Sequence, residues 1–169
     1  MLCCPAPRAE GAQLRATAGA DYGYAVQELY AFYLSWLTAW PGTVLNRPSP
    51  MGLAGAYRHP SEWMLLGGKA GLPCLPWDQG SDDDPNLAWM APLPEATAYA
   101  VNGEAVLPPL LPAELGGPCV ELASLAETAL LGIGFVRSDE TWVMNSATPI
   151  PEFSLGGAPL ADALARALS

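Results

Sequence analysis

Leu131 to Phe153 reads LGIGFVRSDETWVMNSATPIPEF, and the reading of this stretch decides the fold. Apolar residues flank a polar centre, Ser138-Asp139-Glu140-Thr141, so the chain is expected to run out as one strand, turn and return as another. A four-residue turn over Ser138 to Thr141 sets Arg137 opposite Trp142 and Gly134 opposite Asn145. Period-two alternation then puts Gly134, Val136, Val143 and Asn145 on one face. The second strand ends near Asn145 in a proline-punctuated loop, Pro149 to Phe153. Strand ends of this kind often deliver ligands to a site, yet Asn145 is almost the only side chain here able to coordinate anything.

Working outward, Thr97 to Val101 and Glu104 to Leu107 flank Asn102-Gly103, the dipeptide most favourable to a tight type I′ hairpin. Between the hairpins, Pro118 to Leu131 has helical character, with Val120, Leu122, Leu125, Ala126, Ala129 and Leu130 apolar and Gly132 placed as a C-terminal cap. The run Pro159 to Leu168 carries Leu160, Ala163, Leu164, Ala167 and Leu168 at helical spacing. Upstream, Asp21 is a good N-cap for a helix that carries Leu29, Phe32, Tyr33, Trp36, Leu37 and Trp40 and stops at Pro41-Gly42. Its aromatic stripe reads as core, because an amphipathic helix needs such a stripe to pack. Thr43-Val44-Leu45 reads as a short strand closed by the extended turn Asn46-Arg47-Pro48. A second helix is expected from about Pro60 towards Gly71, where Pro73 and Pro76 bar its return. Helices interspersed with hairpins predict an α+β, mixed α/β fold in which an antiparallel sheet is covered by packed helices. No internal repeat is visible.

Four segments follow: an irregular or mobile arm over residues 1 to 20, a helix-strand-helix segment over 21 to 76, an acidic, proline-rich connection over 77 to 96, and a hairpin-helix-hairpin-helix segment over 97 to 169. The chain of 169 residues is 51% hydrophobic and 14% charged, with 18 prolines and 17 glycines. That balance favours short, frequently interrupted elements over a long helical bundle. The formal net charge is -10, and Lys69 is the only lysine. Nucleic acids and anionic membranes, which are recognised through clustered Lys and Arg, are therefore poor partners. The longest apolar run, about Ala31 to Trp40, is too short to span a bilayer. The opening MLCCPAPRAEG has no basic region followed by a long apolar core, which points to a cytoplasmic protein with reduced thiols. Cys3, Cys4, Cys74 and Cys119 lack zinc spacing, since an adjacent pair cannot readily ligate one ion together; a role for Cys3 and Cys4 does not follow from the sequence.

The motifs that could carry chemistry are sparse. His59, the lone histidine, lies beside Arg58 and Glu62, but no nucleophile elbow accompanies it, and a histidine before a helix-initiating proline commonly serves as a cap. His59 and Arg58 are weak catalytic candidates. Asp82-Asp83-Asp84 lacks the alternating ligands and bend glycine of a calcium loop and reads as a solvated loop. Gly67-Gly68 and Gly116-Gly117 do not follow a strand with the spacing of a phosphate-binding loop.

Val44 to Trp77, with its Asn46-Arg47-Pro48 turn and Ala70-Gly71-Leu72-Pro73 segment, resembles the end of the pre-ATP-grasp domain of ATP-grasp carboxylate-amine ligases of the ribosomal-protein glutamate ligase type. AYAVNGEAVL, LASLAETALLGIGFVR, TWVMNSATPIPEF and GGAPLADALARAL resemble, in the family's order, successive elements of its C-terminal lobe. The resemblance implies a truncated ATP-grasp C-terminal lobe joined to part of a pre-ATP-grasp domain. In that family, ATP lies between two lobes; lysines of the first bind its phosphates, and an Asp, a Glu and an Asn of the second hold magnesium ions. Between Pro76 and Thr97 there are only about twenty residues, without a lysine, where the first lobe would lie. Gly134 stands where the family has Asp, Val143 where it has Glu, and only Asn145 survives as a remnant. A lone amide is a poor substitute for two carboxylates on a hard cation.

The resemblance thus implies a degenerate enzyme: a non-catalytic accessory or binding protein with no cofactor, neither ATP nor magnesium being expected without a partner lobe. It would act by self-association, by binding a full-length ligase, or by binding a peptide substrate. Trp77, Trp89 and Trp142, in or near loops, together with Asn46 and Arg47, are the partner-binding candidates, since aromatic and Arg residues are favoured at interfaces. Trp36 and Trp63 read as core. The rival readings are an ATP-dependent peptide ligase completed by a partner chain, and an unrelated small α+β enzyme using His59.

Overall fold

The structure, a computed structural model, describes residues 16, 19–50, 52–76 and 92–169. Expectations that fall on Cys3, Cys4, Trp77, Asp82 to Asp84 and Trp89, and on nearly all of the arm, lie outside the described residues.

In chain order, α1 (Tyr22–Ala39), α2 (Pro60–Lys69), β1 (Ala96–Val101), β2 (Glu104–Val106), α3 (Gly116–Leu125), β3 (Leu130–Ser138), β4 (Thr141–Thr148) and α4 (Gly157–Leu168) form an α+β fold. The four strands make one antiparallel sheet in the order β2-β1-β3-β4. Both hairpins lie where the sequence puts them. Asn102 and Gly103 adopt φ of 47° and 86°, the left-handed pair that a type I′ turn requires. Ser138 pairs with Thr141, and Asp139 turns the chain at φ 55°.

One face of the sheet carries Ala98, Ala100, Leu131, Ile133, Phe135 and Met144, which pack against Trp63 and Met64 of α2 and Cys119 and Leu122 of α3. Residues 60–76 and the sheet therefore share one core. Each large side chain sealed in it, such as Leu122 or Phe135, contributes about 1.5–3 kcal/mol by leaving water. On the opposite face, Tyr99, Val101 and Leu130 receive Leu160, Ala163 and Leu164 of α4.

Four expectations need correction. Helix α3 ends at Leu125 rather than Leu131: Glu127 turns left-handed at φ 54°, the Thr128 amide donates to the Ala123 carbonyl at 3.0 Å, and Leu130 and Leu131 join β3. Gly132 is accordingly a mid-strand residue and not a cap. Thr43 to Leu45 form no strand, because Asn46, at φ 55°, turns its side chain inward and ties this stretch to β3 by side-chain bonds instead of a ladder.

The third correction concerns α1, where Asp21 holds the N-cap position without a side-chain cap bond and only Leu37 is buried. Tyr24 and Phe32 remain 67% and 62% exposed. No described element lies along this helix, so its rings satisfy one another instead: Trp36 meets Trp40 edge-on at 5.5 Å, and Phe32 meets Tyr33 at 5.8 Å. Trp63, by contrast, is core as expected. The fourth correction lies in the β3–β4 register.

Candidate functional site

Pairing in the β3–β4 hairpin is regular from Ser138 opposite Thr141 to Phe135 opposite Met144, and then shifts. Gly134 lies opposite Ser146 and not opposite Asn145. Asn145 is the extra residue of a β-bulge, which sequence alternation cannot register because a bulge suspends the period of two. A bulge re-aims side chains, and Asn145 Oδ1 still reaches the space above Gly134.

That space is full. A Cβ on Gly134 would collide with Ser146 Oγ and come within 2.7 Å of Pro94 Cγ and 2.8 Å of Asn145 Oδ1. A Cβ on Gly132 would come within 2.5 Å of Pro151 Cβ. The two glycines thus let Pro94, from the segment before β1, and Pro151, from the loop after β4, lie directly on the sheet. Asn145 is 7% exposed and engaged on both ends of its amide: Nδ2 donates to the Pro92 carbonyl, and Oδ1 accepts from Ser146 Oγ at 3.1 Å. The Asn145 amide therefore anchors the chain at Pro92.

This is the face on which the ATP-grasp resemblance expects two carboxylates and an amide around magnesium. The donors present do not fit the ion: Gly134 and Val143 offer no oxygen from a side chain, and the Asn145 amide is committed to the fold. Among the described residues no three His, Cys, Asp or Glu side chains gather as a metal site.

The loop after β4 is fixed over the same face. The Tyr99 hydroxyl donates to the Glu152 carbonyl at 2.7 Å, and burial, followed by the nearby Glu152 charge, raises the Tyr99 pKa. Asn46 is the second tie. Its Oδ1 accepts from the Ala129 and Leu130 amides at 2.8 and 3.0 Å, and its Nδ2 donates to the carbonyls of Leu130 and, at 3.0 Å, Pro149. One half-turn residue therefore fastens the chain after α1, the start of β3 and the exit of β4 together.

The remaining sequence candidates are dispersed. Arg47 is exposed and donates to the Gly42 carbonyl at 3.3 Å. Trp142, expected near a surface, is 7% exposed in the core, with the Arg137 guanidinium 5.4 Å from its ring centroid. His59 serves as the cap of α2: its Nδ1 accepts from the Ser61 amide at 3.3 Å while Glu62 Oε2 accepts from the His59 amide at 2.9 Å, a reciprocal capping box completed by Pro60.

Sequence reasoning missed a cleft of about 460 Å³ between residues 56–64 and the outer side of β4. Trp63, Met64 and Ile150 contribute apolar surface; Arg58 enters from one wall, and Asn145 to Thr148 form the other. Arg58 is half-buried, donates through Nη2 to the Ala126 carbonyl at 3.1 Å and lies 5.8 Å from the Trp63 ring centroid. The strand edge above the cleft is partly filled. The Met144 amide donates to the Pro73 carbonyl at 2.7 Å, and the Leu75 amide to the Met144 carbonyl at 2.9 Å. No local signal marks this cleft, because its walls meet only through tertiary packing; a glycine every second residue in β3 was the one hint that backbone elsewhere approaches the sheet closely.

No protein-family model matches the chain, and no curated protein matches it. Among solved structures, the crystal structure of macrocyclase MdnB from Microcystis aeruginosa MRC is similar, with a TM-score of 0.52 and 16% sequence identity, over 65% of this chain and 54% of that one. The chain thus spans about half the length of that macrocyclase. Among the described residues no helix is long and apolar enough to cross a membrane. Over the part that it covers, the chain has an ATP-grasp-like fold, an α+β arrangement with one four-stranded antiparallel sheet.

Proposed function

We propose that the protein is a non-catalytic, ATP-grasp-like binding protein that acts through a protein partner, either a second copy of itself or a full-length ligase or its peptide substrate. The observation that carries this reading is the closed sheet face: Pro94, Ser146 Oγ and Asn145 Oδ1 stand in the space that a carboxylate at position 134 would need. Without carboxylates on that face, magnesium and the nucleotide phosphates it would bridge have no hard anionic ligand there. The binding half of the reading draws on α1, whose exposed Tyr24, Tyr30 and Phe32 are side chains favoured at interfaces.

Titration calorimetry and thermal unfolding with ATP and magnesium test the reading. The expected result is no heat of binding and an unchanged Tm, since any ligand that binds only the folded state raises apparent stability by mass action. A saturable rise in Tm would overturn the non-catalytic reading in favour of a working nucleotide site.

A further inference from the structure

We propose that the cleft beside β4 docks an extended peptide segment of a partner protein, and that this segment carries one carboxylate side chain, seated on Arg58, among apolar neighbours. The inference rests on the binding-protein reading and adds the site and the chemistry of what it takes.

The strand order leaves the outer side of β4 without a neighbouring strand. At Met144 that side is already occupied by Pro73 to Leu75, through two backbone bonds and a parallel bridge at Cys74. An extended segment therefore fits against this edge. Backbone groups of an antiparallel strand alternate between its two sides. Met144, opposite Phe135, points outward; Asn145 and Ser146 together oppose Gly134; Ala147, opposite Ile133, is the next position that points outward. Among the described residues nothing bonds to the Ala147 amide or carbonyl from that side. They open onto the cleft, so an incoming extended segment can bond to them there, the mode by which sheet edges take up peptides.

The walls specify side chains. Trp63, Met64 and Ile150 offer apolar contact, and Arg58 is the one formally charged residue of the lining. Its guanidinium is pre-oriented by the Ala126 carbonyl and the Trp63 ring, and among the described residues it has no carboxylate partner. A guanidinium has five donors, so most of the fork remains for a carboxylate. The net charge of -10 repels a densely acidic segment at long range, which favours a single carboxylate flanked by apolar residues over an acidic run.

The test is fluorescence anisotropy with a short, labelled peptide of alternating valine and threonine bearing glutamate at its centre, and with its glutamine twin. The full chain should bind the glutamate peptide about tenfold or more tightly than the twin, the scale of a charge-assisted hydrogen bond. Arg58→Gln should lower the glutamate peptide to the level of the twin, with Arg58→Lys in between. Ala147→Pro should weaken both peptides, because it removes an outward amide that the β3 ladder does not use. Urea midpoints show that each variant is folded, and Arg58→Lys serves if Arg58→Gln is not. Equal affinity of wild type for the two peptides overturns the carboxylate seat while leaving the docking edge standing. Absence of saturable binding by either peptide overturns the docking site, whereas the non-catalytic reading answers to the nucleotide titration alone. A dimer of the chain that either peptide dissociates would make a second copy the occupant and overturn the partner segment.

Discussion

Replacing Asn46 should be among the most damaging single changes in the molecule, although the sequence marks it as a surface residue in a turn. Four hydrogen bonds depend on its amide: two amide donors, at Ala129 and Leu130, and two carbonyl acceptors, at Leu130 and Pro149. At about 1 kcal/mol net for each bond, their loss amounts to about 4 kcal/mol. Asn46 also sits at φ 55°, where alanine pays about 1 kcal/mol more than glycine. Asn46→Ala should therefore cost about 5 kcal/mol and Asn46→Gly about 4 kcal/mol, against a total stability of about 5–15 kcal/mol for a typical domain. Asn46→Asp keeps the acceptor towards Ala129 and Leu130 but sets a charge against two carbonyl oxygens, so it should resemble alanine rather than asparagine. Urea unfolding followed by tryptophan fluorescence measures all three, with the m-value as a check that the unfolded state is unchanged. On the thermal scale the alanine variant should melt about 10 °C or more below wild type. If Asn46→Ala instead unfolds within about 1 kcal/mol of wild type, the clamp contributes little and Asn46 returns to the partner-binding surface.

Two further perturbations probe the covered face and the core. Gly134→Ala should cost about 1–3 kcal/mol from overpacking, and Gly134→Asp more, because a carboxylate would also be desolvated against Asn145 Oδ1; urea midpoints with and without magnesium should coincide, and a magnesium-stabilised Asp variant would refute the argument that the face is closed. Burial pushes the Cys119 thiol up from its ordinary value to about 12. The folded state then holds a proton that the unfolded thiol releases above about pH 8.5, so stability is full below that pH and falls as pH rises towards 12, with Tyr99, also raised, acting in the same direction. Cys119→Ala should flatten part of this alkaline decline in urea midpoints, and an unchanged slope would show that another group titrates there.

The hairpins, the helix from Tyr22 and the final helix were legible because each is written in local pattern: Asn102-Gly103 dictates its turn, and Leu160, Ala163 and Leu164 repeat at helical spacing. The end of α3 was not legible, since apolar spacing continues smoothly into Leu130 and Leu131; the helix stops at the left-handed turn of Glu127, and Asn46, more than eighty residues away in sequence, holds the amides that follow it. The β4 bulge was hidden for a related reason. Asn145, the bulge residue, is bonded to Pro92, and no periodicity within the hairpin announces that partner. For α1 the pattern was read correctly as a helix and wrongly as core, because spacing shows which residues could pack and not whether anything lies against them. The absence of carboxylates at Gly134 and Val143 was visible in the sequence, whereas the filling of the space above Gly134 needed Pro94 to be located in three dimensions.

The seating of Pro94 and Pro151 on Gly134 and Gly132 has a bearing on what this face can acquire as well as on stability. An open sheet face is one substitution from gaining a ligand, since a new side chain finds room. Here the two glycines are covered from two directions, Gly134 by the segment before β1 and Gly132 by the loop after β4, and each covering segment is pinned by its own bond, at Asn145 and at Tyr99. A carboxylate introduced at position 134 meets Pro94, Ser146 and Asn145 before it meets any cation. Opening this face to a ligand would need concerted change in separated parts of the chain, which closes the route to single steps.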